Sequence, residues 1–287
     1  MSKQAPAHEV KPFPLSRRVI SDSARAYRRR NTILGLVEVD VTEARRIIRA
    51  HKEHTGETLS FTAFIIACLG QAIDQNRYLH ARRDFWGRLI LFDEVDCTTA
   101  IEIEFQGQKF PLAHVIRAIN TRSFCSIHDE LRAIQANPQR SGTLQNQRLL
   151  GAFLLLPAFV RDLFYRFLAR SPRLFKQRIG TVFVSAVGMY GNGGGWGVGA
   201  GSVFTTSVLL GGIGQKPGVV DGQIAVRELL SLTVDFDHDI VDGAPAARFV
   251  QRFKELIERG EGLALQSEQQ LVWVQHEKTG CAAGVRS

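Results

Sequence analysis

Residues 229–258 read LLSLTVDFDHDIVDGAPAARFVQRFKELIE. The first half is apolar and β-branched, and it predicts a strand over Gln223–Phe236. From Ala244 to Arg259 the apolar residues fall at helical spacing and predict a helix. Between the two lies a short connection that carries His238 and, four residues on, Asp242-Gly243. An imidazole titrates near neutrality, so it can take a proton from a nucleophile and return it later. Asp242 is placed to fix the connection by pairing with an arginine, and Gly243 permits a tight turn into the helix. Asp237 and Asp239 flank the histidine, but a carboxylate is too acidic to accept a thiol proton well at neutral pH. A histidine near one aspartate is also what a satisfied core residue looks like, so this stretch leaves both readings open.

Working outward, an Asp221-Gly222 turn joins the strand to another at Val203–Ile213. A glycine-rich loop, Gly191–Gly201, and a strand at Thr181–Val187 precede it. Its GxGxxG-like spacing lacks the βαβ frame and downstream acid of a dinucleotide site, so it reads as a flexible or close-packed channel loop. Nearer the N-terminus, Asn31–Asp40 reads as a strand and the stretch from Val41 to about Gly56 as a helix. Leu59–Asn76 reads as a buried helix, Leu89–Glu104 as two short strands, Phe110–Ile119 as a third and Ser123–Asn137 as a helix. Residues 1–14 read as a loose leader, 15–30 as a basic helix or arm, and 266–287 as a tail. Strands and helices mix without a regular βαβ repeat, which predicts a mixed α/β or α+β domain over 15–265 with one large sheet.

The balance of 45% hydrophobic and 22% charged residues in 287 is that of a globular chain able to bury a core. Four cysteines, Cys68, Cys97, Cys125 and Cys281, form no CxxC pair, which points to reduced thiols and away from a zinc site. A net charge of +8 fits an anionic partner: a phosphate-bearing small molecule, an anionic membrane or nucleic acid. No nucleic-acid module accompanies the charge, so nucleic acid is not expected. Met1–Pro14 has no apolar core of a signal peptide, and no run of 18 apolar residues occurs. The expected location is the cytoplasm, with membrane association left open.

The stretch Leu229–Glu258 resembles the C-terminal signature of the dihydrolipoyl acyltransferases of 2-oxoacid dehydrogenase complexes, whose His-three-residues-Asp-Gly pattern chloramphenicol acetyltransferases share. The resemblance is colinear over roughly residues 14–265. PLSRRVISDSA, ILGLVEVDVTEARRI, LSFTAFIIACLGQAI, LILFDEVDCTTAIEIEF, GTVFVSAVGMYG and VLLGGIGQKPGVVDGQIAVRELLSLTVDFDH follow one another in the family's order. It implies a chloramphenicol-acetyltransferase-like fold, a mixed central sheet flanked by helices, in a homotrimer or a multiple of three with the active site in a channel between neighbours. It also implies acyl transfer between coenzyme A, as acyl-CoA, and a thiol or other nucleophile, with a lipoyl-bearing protein as a partner. Three roles follow from it: His238 as the general base, Ser185 as the hydroxyl that bonds the oxyanion, and Asp242 as the structural carboxylate paired with Arg17 or Arg18. No metal and no lipoyl group on this chain are expected.

Two departures stand out. The family has arginine directly after the histidine, where this chain has Asp239. Residues 149–178, LLGAFLLLPAFVRDLFYRFLARSPRLFKQR, look like an insertion, with six basic residues against the single acid Asp162. Such a segment fits a helical hairpin packed on its own domain or against a neighbouring subunit, a cover for an acyl chain, or a helix lying on an anionic membrane. Two further readings of the whole chain therefore stand beside the enzyme: a non-catalytic assembly scaffold, and a membrane-surface lipid enzyme or binding module on the same fold.

Overall fold

The computed structural model describes residues 9, 11–14, 17–18, 21–22, 24–25, 30–105, 108–142, 147–186, 193–199, 202–260 and 262–263. The expected tail at 266–287, most of the leader and much of the basic arm lie outside them.

From residue 30 on, the described residues form, in order, β1 (Thr32–Asp40), α1 (Thr42–Thr55), α2 (Phe61–Asp74), β2 (Arg82–Arg83), β3 (Leu89–Ile90), β4 (Cys97–Phe105), β5 (Gln108–Ile116), α3 (Phe124–Ala136), α4 (Gln147–Leu155), α5 (Ala158–Ala169), α6 (Pro172–Ile179), β6 (Val182–Ala186), β7 (Thr206–Val220), β8 (Gln223–Asp237) and α7 (Gly243–Arg259). Six strands form one sheet in the order β1-β8-β7-β6-β4-β5, and β2 pairs with β3 separately. β6 runs parallel to both its neighbours, and the other pairs are antiparallel. The single large mixed sheet expected from the sequence is present.

Local chemistry sets the boundaries. Ser60 and Ser123 cap α2 and α3, each hydroxyl accepting a backbone N–H of the first turn at 3.2 and 3.4 Å. The β7–β8 turn places Asp221 and Gly222 at φ 51° and 78°, the left-handed pair that a two-residue hairpin of this twist needs. β7 and β8 run longer than expected. Beyond the last β1 pair, Asp40↔Leu229, they continue as a two-stranded arm to Val220↔Gln223.

The sheet's two faces differ. Val182, Val184, Val208, Leu210, Leu232, Val234 and Phe236 join α2, α3 and α7 in the main core. Helix α2 is buried almost all round, as its uniformly apolar sequence requires. On the other face Phe183 stacks on Phe204 at 5.5 Å, and Phe204 meets Phe175 of α6 edge-on at 5.8 Å. Together with Leu168 these rings form a second, small core under the inserted helices. Helices α5 and α6 therefore pack on the sheet of their own chain.

Candidate active site

Alternation along β8 sends Val234 and Phe236 into the main core and Thr233, Asp235 and Asp237 to the opposite face. All three polar residues are buried there, beside Ser207 and Ser231. Burial costs such groups hydrogen bonds to water, so each needs a local partner. Asp237 finds Arg30, which precedes β1. The Arg30 guanidinium pairs with the Asp237 carboxylate and donates to the Ser202 and Phe204 carbonyls, both at 3.1 Å. One arginine thus joins the start of β1, the end of β8 and the 202–204 loop. Burial lifts the Asp235 carboxyl to about 6; Arg30 opposes the rise and Asp237 adds to it.

The next residue, His238, sits on the turn that ends β8. Its N–H donates to the Asn31 carbonyl at 2.8 Å. The Asn31 amide donates to Asp239 at 2.8 Å, and the Asp239 N–H returns to the Asp237 carboxylate at 3.1 Å. Arg83 of β2 lies 3.6 Å from the Asp239 carboxylate. The N–H groups of Ile240 and Val241 close the turn on the Asp237 carbonyl at 3.0 and 2.9 Å, and buried Val241 anchors it. The main chain of His238 is therefore held on both sides while the residue remains exposed. A general base needs that combination, a fixed position with open access to a reactant.

Asp242 is exposed and occupies the cap position of α7, where its carbonyl receives the Ala246 N–H at 3.1 Å and its side chain caps nothing. Among the described residues no ion pair joins Asp242 to Arg17 or Arg18. The buried carboxylate of this turn, Asp237, is held by Arg30. The antiparallel register pairs Thr32 with Asp237, which brings Arg30, two residues upstream, to the strand end.

Ser185 lies on β6, partly buried, on the same face as Phe183. It is level with Leu209 on β7, and Leu209 is level with Thr233 on β8. His238 is thus two strands across and five residues further along. At about 4.8 Å per strand and about 3.3 Å per residue, the two Cα atoms are about 19 Å apart. Both side chains extended cover about half of that, so within one chain they do not meet.

The glycine-rich loop lies against the same face. Gly195 donates to the Ser231 hydroxyl at 3.1 Å and accepts the Gly212 N–H at 2.8 Å, beside the bulge between Leu210 and Ile213. A Cβ on Gly211 or Gly212 would collide with the backbone carbonyls of Gly195 and Gly193. In the described part, 193–199, Gly195 is tied to β7 and β8 while the residues around it stay largely exposed; Gly191, Asn192, Ala200 and Gly201 lie outside the described residues.

Residues 174–265 match the family described as 2-oxoacid dehydrogenases acyltransferase, in its catalytic domain. That span contains β6 with Ser185 and the whole β7–β8–α7 unit with His238. The chain is 25% identical, over 91% of its length, to the lipoamide acyltransferase component of the branched-chain alpha-keto acid dehydrogenase complex of Pseudomonas aeruginosa, and covers 55% of that protein. It spans about half or less of the length of the first curated acyltransferases it matches. Among solved structures it shares the fold of a probable dihydrolipoamide acetyltransferase from Listeria monocytogenes, with a TM-score of 0.65 at 22% identity over 89% of this chain and 96% of that one. The cubic core of a pyruvate dehydrogenase multienzyme complex aligns with a TM-score of 0.64 at 17% identity, over 92% and 98%. The fold is thus that of these acyltransferase cores.

Arg30, Asn31, Asp237 and Arg83 are the site residues that motif reading missed. For Arg30 and Asp237 one signal existed: an arginine directly before the first strand and an aspartate on the polar face of the last.

Proposed function

We propose that the chain is an acyltransferase that moves an acyl group between coenzyme A and the dihydrolipoyl thiol of a lipoyl-bearing protein, with His238 as general base. The observation that carries the reading is the open, main-chain-locked His238 turn inside the matched acyltransferase segment. The neutral imidazole takes the proton of the acceptor thiol. The sulfur attacks the thioester carbonyl carbon, and its oxygen becomes an oxyanion to which Ser185 donates its O–H. The tetrahedral carbon then expels the first thiolate, which takes the proton back from the imidazolium. Asp237 and Arg30 orient the base and touch no reactant.

The separation of Ser185 from His238 supports a site shared between two copies of the chain. His238 of one protomer and Ser185 of its neighbour then face one thioester, in a closed ring such as a trimer. The exposed apolar row on the β7–β8 arm, Val219, Ile224 and Val226, is the surface for that contact.

Complementation tests this. His238→Ala and Ser185→Ala are each expected to lose about 100-fold or more in acyl-CoA-to-dihydrolipoamide transfer. When the two inactive variants are unfolded, mixed equally and refolded together, about one site in four regains both groups. Recovery of about a quarter of the parent activity supports the shared site. Variants active alone would rule out the roles, and two inactive variants that never complement would rule out sharing.

A further inference from the structure

The outward face of α5 carries no part of the site above. At 100° per residue, Phe159, Leu163, Arg166 and the cap residue Arg170 fall within about 60° of arc, with Phe167 about 40° further round. Arg161, Tyr165 and Leu168 are buried on the opposite side. The exposed face of a helix on a globular domain is ordinarily polar. Here Phe159 is 74% exposed and Leu163 68%, interleaved with exposed arginines. Leu155, the last residue of α4 and four positions before Phe159, is 76% exposed, and the Phe85–Phe167 ring contact at 5.6 Å joins the face to the β2–β3 turn. That turn presents Trp86, 82% exposed. It is held rigid because the Asp84 carboxylate accepts the Trp86 and Arg88 N–H groups, both at 2.9 Å, and the Arg88 guanidinium at 2.8 Å.

The six basic residues of the insertion divide by their partners. Arg161 is buried against Asp22 at 2.6 Å, and Lys176 pairs with Glu94 and Asp96 at 3.1 and 3.2 Å. Arg166 is tied to Asp162, the insertion's one acid, at 2.9 Å. Arg170, Arg173 and Arg178 are exposed, and among the described residues no acid pairs with them. Aromatic and leucine anchors beside an unneutralised Arg170, with Arg173 three residues on at the start of α6, are the chemistry of an anionic lipid surface. Rings and leucines enter the acyl boundary while guanidinium groups stay at the headgroup phosphates. Among the described residues no helix is long and apolar enough to cross a membrane, so the contact would lie in the interface plane.

We infer that the face formed by α5, the α4–α5 turn and the Phe85–Trp86 turn docks on the surface of an anionic bilayer. The inference is independent of acyl transfer. It is tested by flotation of the whole chain with phosphatidylcholine vesicles, with and without about a third phosphatidylserine. The parent is expected to float with the anionic vesicles and to bind the neutral ones about tenfold less. Phe159→Glu with Leu163→Glu abolishes flotation. Arg170→Glu with Arg173→Glu weakens it about tenfold or more, and both variants keep the parent's acyl-transfer activity. A reading on the unmutated chain stands beside the variants: brominated lipid is expected to quench tryptophan fluorescence, and the quenching falls in Trp86→Phe. Absence of flotation, equal binding to both vesicles, or no Trp86 quenching overturns the inference. So does a change in oligomer mass on Phe159→Glu with Leu163→Glu without vesicle binding by the parent, which assigns the face to a contact between copies.

Discussion

His238 is flanked by two aspartates and followed four residues later by a third, and their fates differ because the strand end sorts them. Asp237 faces the buried side and meets Arg30. Asp239 faces solvent and meets Asn31 and Arg83. Asp242 only begins the helix. Replacing Arg30 with methionine leaves the buried Asp237 without its cation and is expected to cost about 3 kcal/mol in denaturant unfolding. Arg17→Ala, at an exposed position, is expected to stay within about 0.5 kcal/mol. Asp235 adds a pH signature. Its folded value of about 6 lies above the unfolded carboxylate's value near 4. The protonated form therefore favours the fold, and its contribution is complete below about pH 4 and lost as pH rises through about 6. Asp235→Asn, which stays neutral, is expected to melt higher than the parent at pH 7.5 and no higher at pH 4. An unchanged difference between the two pH values would remove Asp235 as the cause.

Among the elements, the glycine-rich loop and the β7 bulge depend on each other. Gly212→Ala forces the loop off β7 and breaks the bonds to Gly195, at an expected cost of about 1–3 kcal/mol. Amide exchange over Gly193–Gly199 should speed up while that of α2 does not; equal protection in both would show that the loop tolerates the methyl. Much of the element level was legible in the sequence. The β8–turn–α7 unit, the Asp221-Gly222 hairpin, the buried α2 and the helix from Ser123 all follow from local period and turn chemistry. Two things were not. β2 has two residues, Arg82 and Arg83, too few to show a period. Arg30 and Asp237 are 207 positions apart, so their pairing follows from sheet register and from no local pattern. For the same reason the sequence pointed to Asp242, the aspartate inside the motif. The insertion was legible as helical and basic, but only the packing tells buried Arg161 from exposed Arg170 and Arg173.

For the whole molecule, the arm of β7 and β8 projects past β1 with an apolar row on one side, and the proposed site draws on two copies. Ile224→Glu with Val226→Glu is expected to lower the mass seen by light scattering and to remove acyl transfer, with the melting temperature of the protomer held. Retained mass would place the subunit contact elsewhere. The order β1-β8-β7-β6-β4-β5 bears as well on how the chain is made. One edge strand, β1, is the first of the sheet to be synthesised, and its neighbour, β8, is the last. On a ribosome, β1 waits unpaired until β8 has emerged. The turn with His238 cannot be locked earlier, because Asn31 has nothing to receive. Contacts this distant in sequence make folding slow, and an exposed strand kept waiting is a template for wrong partners. Nascent chains stalled before residue 229 should therefore recruit holdase chaperones, and release should follow the synthesis of the last strand.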